Sequence, residues 1–174
     1  DKLRRSAGWL ISVLSWIPDD EGTIRYIETY RIADNIFESA VDAHKRGCDS
    51  EALHIRELLL NWTQKAGKYQ TGWASLEKAC CGLACLNLIL GLSDEELFTE
   101  IDVYLLKEDA PNFDIRSRTA SALQEEADKY RSGYAHGDID MAMSHVDQSR
   151  LRVLLHGIAD HLCPEKIVDQ NPLK

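Results

Sequence analysis

A chain of 174 residues with 44% hydrophobic and 28% charged side chains can bury a real core and has the make-up of one globular domain. Its formal charge of -9 excludes a broad basic surface, because non-specific affinity for nucleic acid rests on Lys and Arg neutralising phosphates. A phosphate-directed activity in this chain needs a focused cationic site, a selected substrate or a basic neighbouring domain.

The pattern is helical almost throughout: no stretch keeps a period of two, and the prolines Pro18, Pro111, Pro164 and Pro172 fall where helices should stop. Leu3, Leu10, Leu14 and Ile17 mark a first amphipathic helix carrying Trp9 and Trp16. Arg4 and Arg5 beside the tryptophans give it the look of a membrane-surface anchor, but its short length and the acidic residues after it favour packing on the body of the protein. A longer helix follows from about Thr23 to Lys45, with Ile24, Ile27, Ile32, Ile36, Phe37, Ala40 and Val41 inward and Gly47 as its C-terminal cap. Asp49 or Ser50 caps the next, whose stripe runs Leu53, Leu58, Leu59, Trp62 to about Lys68.

Trp73 to Leu90 is apolar on nearly every face beyond Cys80, which places it at the centre of a bundle. It is too short to span a bilayer and carries Asn87. Gly91 closes it, and Ser93-Asp94-Glu95-Glu96 reads as a capping box for a helix to about Lys107. Pro111 resets the chain before a helix from Ile115 to Tyr130. Asp147 caps the last, with Leu151, Leu154, Leu155, Ile158 and Leu162 on one face. The expectation is an all-α, antiparallel-leaning bundle of six or seven helices forming one domain over 1–174.

The cysteines Cys48, Cys80, Cys81, Cys85 and Cys163 lack zinc-type spacing, and three of them lie in one apolar run where they read as small core residues. Their odd number and the lack of a signal peptide fit a reducing cytoplasm. Starting at Asp1 rather than Met, the chain reads as a candidate domain of a longer parent protein. His156 and His161 are five apart, off a shared face, and read as surface or boundary histidines; His44 and His54 flank the Gly47 turn and read as solvated. Glu125-Glu126 is a solvated face.

The segment with chemistry is Arg131-Ser132-Gly133-Tyr134-Ala135-His136-Gly137-Asp138, between the last two helices. Arginine offers a permanent planar cation suited to phosphate, and histidine exchanges a proton near neutral pH. An anion clamp beside a proton shuttle is the least equipment that cleaves a phosphodiester without a metal. A purely structural account of the pair is a helix C-terminal arginine and a histidine capping a polar turn.

With Tyr130 before the Arg-x4-His spacing and Gly137 after it, this text resembles the HEPN superfamily. The form "Y..RS...HG" is similar to HEPN domains of phage-defence proteins, and Leu76-Glu77 resembles the "LE" of the central helix in that branch. The likeness covers Gly72 to Pro164 as a HEPN-like core (72–164). Residues 1–70 are matched only in being helical, and 165–174 is a tail. Ser132 stands where many members carry Asn, and Asp138 stands where the nucleotidyltransferase-paired toxins carry Tyr, which sets the chain apart from that subtype.

The resemblance implies a metal-independent endoribonuclease of a defence or stress-response system, working as a homodimer with the two motifs facing each other and needing no cofactor. His136 would move the proton of the ribose 2′-hydroxyl or of the leaving oxygen, and Arg131 would neutralise the transition state. Glu77 is a candidate to orient Arg131, Ser132 and His145 are candidate auxiliaries, and Tyr134 is a candidate to stack on a base. The alternative is a non-catalytic HEPN-like module for interaction, dimerisation or ligand sensing.

Overall fold

The computed structural model describes residues 29–68, 73–105, 112–131 and 148–165. Six helices occupy them: α1 Thr29–Lys45, α2 Asp49–Lys68, α3 Trp73–Ile89, α4 Asp94–Leu105, α5 Phe113–Arg131 and α6 Gln148–Leu162. Among the described residues the fold is therefore all-α, and no helix there is long and apolar enough to cross a membrane. The expected helix over Leu3 to Ile17, the segment 23–28 and the cap Asp147 lie outside the described residues.

The helix ends obey local chemistry. Gly47 and Gly91 adopt φ of 77° and 66°, a region that costs a residue with a Cβ. Each stands at the point where a Schellman motif needs it. Cys48 N–H donates to Ala43 O at 2.9 Å and Leu92 N–H to Asn87 O at 2.9 Å, so the last carbonyls of α1 and α3 are used. Ser93 Oγ accepts from Glu96 N–H at 3.4 Å, the expected capping contact, and Asn112 Oδ1 accepts from Ile115 N–H at 3.0 Å to start α5.

α3 is the centre. Every residue from Ala79 to Asn87 is buried, and α3 packs against each of the other five helices. α1 and α2 form one antiparallel hairpin on it: Phe37 and Leu59 meet at Gly82, where an added Cβ would come within 3.3 Å of Leu59 Cδ2. α5 and α6 form a second hairpin, with Leu151, Leu154, Leu155, Ile158 and Leu162 all buried as their spacing foretold. Both hairpins belong to a single apolar core.

One stripe differs from expectation. On α2 the buried residues are Ala52, Ile55, Arg56, Leu59, Leu60, Trp62 and Thr63, while Leu53 is 44% exposed. The true face is centred on Arg56, a charged residue in the middle of an apolar stripe, so a reading guided by leucines rotates the helix.

Two seams fix the C-terminal half of α6. Across the first, Phe98 on α4 stacks on His161 with ring centroids 4.6 Å apart, and His161 Nδ1 stands 3.2 Å from Asp102 Oδ1. The Phe98 ring also lies on Gly157, where a Cβ would meet its Cζ at 2.5 Å. Gly157→Ala gains helix propensity but must drive the ring aside, at an overpacking cost of about 1–3 kcal/mol. The balance is a net loss of stability, read as a thermal midpoint lowered by a few degrees. A raised midpoint would show that α4 does not press on this glycine.

Across the second seam, Arg116 of α5 donates to Leu162 O at 2.9 Å and to both carboxylate oxygens of Glu165 at 3.2–3.3 Å. The carboxyl of Glu165 is held below its ordinary value of 4.5 by its own backbone N–H and by Arg116. A depressed carboxylate stabilises the fold above its unfolded value, and that contribution disappears as pH falls through the folded one. Glu165→Gln is therefore expected to loosen the end of α6 at neutral pH and to match the parent chain in acid, below the folded value. Amide exchange at Cys163, whose N–H bonds Ala159 O at 3.0 Å, reports it. A difference that persists unchanged into acid would rule the carboxylate out.

Candidate functional site

The site is located by the directions of the helices. α4 leaves α3 through the tight turn at Gly91, and its Phe98 and Asp102 pack on Gly157 and His161 in the C-terminal half of α6. The C-terminal half of α6 therefore lies at the end of α3 that meets this turn. α5 runs antiparallel to α6, tied at one end by Arg116 to Leu162 and toward the other by Asp128 to His156, whose Oδ1 and Nε2 are 3.7 Å apart. The C-terminus of α5 and the N-terminus of α6 consequently share the end of the bundle at which α3 begins.

Arg131 is the last residue of α5, and Glu77 lies in the N-terminal half of α3, half-buried. Both thus belong to the same end. The Cys81 thiol lies close enough to Glu77 and to Glu126 of α5 to be influenced by both charges, which puts Glu126, five residues before Arg131, across from Cys81. Of the other candidates, Ser132, Tyr134, His136 and His145 lie outside the described residues, as does the side chain of Arg131.

The chain matches no known family model, no curated protein and no solved structure.

The cysteines carry no reactive chemistry at this end. Cys80, Cys81, Cys85 and Cys163 are buried, and all five cysteines are free thiols. Burial, with a smaller contribution from Glu77, pushes the Cys80 thiol up to about 12. Burial raises Cys81 likewise, reinforced by Cys85, Glu77 and Glu126. A thiol so far from its thiolate is a poor nucleophile and a poor metal ligand. Among the described residues no group of three or more His, Cys, Asp or Glu is placed to hold a metal ion.

Sequence reasoning missed two arginines. Arg56 is 6% exposed and joins three helices: it grips Glu100 of α4 with both terminal nitrogens, at 2.9 and 3.1 Å, and donates to Asn87 Oδ1 of α3 at 2.8 Å. Asn87 in turn donates to Ser93 O at 2.9 Å, so its side chain secures the turn after Gly91. The available signal was spacing, since Arg56 follows Ala52 by four and precedes Leu59 by three. The second is Arg152, in the second turn of α6. Its Nε is buried without a hydrogen-bond partner.

Proposed function

We infer that this chain is a HEPN-like ribonuclease domain that cleaves RNA without a metal, by attack of the ribose 2′-hydroxyl on the adjacent phosphate. The observation that carries it is the placement of Arg131 at the C-terminal end of α5, in an antiparallel pair with α6, at the end of the bundle where Glu77 of the central helix also stands. A motif in the connection of such a pair is anchored by a packed helix on each side, which is what positioning of a reacting phosphate requires.

In this reading His136 takes the proton of the 2′-hydroxyl or returns one to the leaving 5′-oxygen. Arg131 offsets the charge that builds on the phosphorane-like transition state. The bond from the 2′-oxygen to phosphorus forms as that to the 5′-oxygen breaks, leaving a 2′,3′-cyclic phosphate and a free 5′-hydroxyl. Glu77 orients Arg131, with Ser132, Tyr134 and His145 as supporting residues. Two copies of the chain bring their motifs together, and the setting is a cytoplasmic defence or stress response.

The test is incubation of the purified chain with labelled RNA in EDTA. Fragments ending in cyclic phosphate are expected, with DNA of the same sequence uncut. Absence of cleavage would leave a non-catalytic helical module, and cleavage that appears only with Mg2+ would equally end the assignment.

A further inference from the structure

His156 and His161 stand five apart on α6, which turns them about 140° from each other and sends them to different neighbours. His156 meets Asp128 of α5, and His161 meets Asp102 of α4. With His44 facing Asp49 across the α1–α2 turn, three of the four described histidines face an aspartate of another element. A lysine or arginine in these places would make a permanent pair. A histidine makes one only while it holds a proton.

At His161 three surroundings draw strength from that charge. The ring Nδ1 donates to Asp102 Oδ1 at 3.2 Å, a contact that becomes an ion pair once the ring is protonated. The ring lies 4.6 Å from that of Phe98 at an interplanar angle of 10°, and a charged ring is attracted to an aromatic face. His161 also sits in the last turn of α6, where the helix dipole favours a cation.

The other charged groups nearby leave this balance standing. α4 carries Asp94, Glu95, Glu96, Glu100 and Asp102 and no basic residue. Asp160, beside His161 on α6, is exposed and negative as well. Arg116 of α5 reaches Leu162 O, but its guanidinium is engaged by Glu165. Asp128 of α5 faces His156 on the other flank, and the buried stretch of α3 from Ala79 to Asn87 holds no charged side chain. The side chains of His161 and Asp102 are 38% and 50% exposed, so a proton arrives from water without any opening of the bundle.

We propose that His161 is a proton-operated clasp between α4 and α6: when the ring takes up a proton, its contacts with Asp102 and Phe98 tighten and α4 is gripped on both flanks. On the flank toward α2 the Arg56–Glu100 pair does not depend on a histidine, so the contact with α6 is the one that mild acid strengthens. Because the favourable contacts belong to the charged ring, their contribution is present below the ordinary histidine value of about 6.5 and is lost as the pH rises through it. Aspartate ordinarily stays ionised down to about pH 4, so both members of the pair are charged in mild acid.

The test is urea unfolding of the full chain, of His161→Gln, of Asp102→Asn and of the double variant. It is run in low salt at about pH 5.5 and about pH 7.5, either side of the ordinary histidine value. In acid the double variant is expected to lose less than the two single losses combined, by about twofold to tenfold in the unfolding constant. At the higher pH this coupling should shrink toward one. His161→Phe keeps a ring on Phe98 but takes up no proton, so it is expected to lack the added stability that the parent gains on acidification. It also stands in for the cycle if either polar variant does not fold. Coupling of equal size at the two pH values would overturn the proposal, as would a parent that gains no more than His161→Phe in acid.

Discussion

Arg56→Ala is expected to cost about 3 kcal/mol of unfolding free energy, the lower part of the range for breaking a buried ion pair. The lower part applies because Glu100 keeps 27% of its side chain in water and can recover some hydration once its partner is gone. Asn87 cannot, being fully buried, and its Oδ1 would lose its donor at the junction of three helices. For a chain of this length a loss of that size lowers the midpoint by roughly 6–12 °C. Urea unfolding of the parent and variant measures it directly. The double variant Arg56→Met with Glu100→Leu is expected to regain much of the loss, since removing both charges leaves no carboxylate stranded. A loss under about 1 kcal/mol for Arg56→Ala would mean that water already satisfies Glu100 and that the network fixes orientation rather than stability.

His136→Ala carries the largest expected effect on activity. A positioned acid or base contributes about 10²–10⁴ in rate, so EDTA-resistant cleavage should fall by at least the lower of these factors while the thermal midpoint holds. Arg131→Ala is expected to act on the same step through the charge of the transition state. The two differ in binding: Arg131→Ala weakens retention of an uncuttable oligonucleotide, whereas His136→Ala leaves it intact. Cleavage by His136→Ala at the parental rate would remove the histidine from the mechanism, whatever the fold.

What could be read in advance follows from which interactions are local. The caps at Gly47, Gly91 and Ser93 and the stripe of α6 depend on residues within a turn or two of one another, and each is legible from spacing alone. The central role of α3 was equally legible, because a helix without a polar face has only one kind of place to be. The face of α2 was misjudged at Leu53 because Arg56 owes its burial to Glu100, 44 positions away, and to Asn87, 31 away. No local pattern announces such a pair. The same holds at the candidate site. The Arg131 to His136 spacing is visible in the sequence, but that Glu77 shares an end with Arg131 depends on α3 and α5 running in opposite directions. The orphaned Nε of Arg152 is likewise a property of packing.

The small side chains of α3 have a consequence for how this protein can change over time. Ala79, Cys80, Cys81, Gly82, Ala84 and Cys85 let the two hairpins approach the central helix closely, and the pairs on either side have set their own side chains to that separation. Enlarging any one of them pushes on a whole hairpin rather than on one neighbour. Compensation would then take several coordinated substitutions on different helices. This helix is accordingly the part of the chain with the least freedom to drift, while the outward positions of the hairpins can be rewritten one residue at a time.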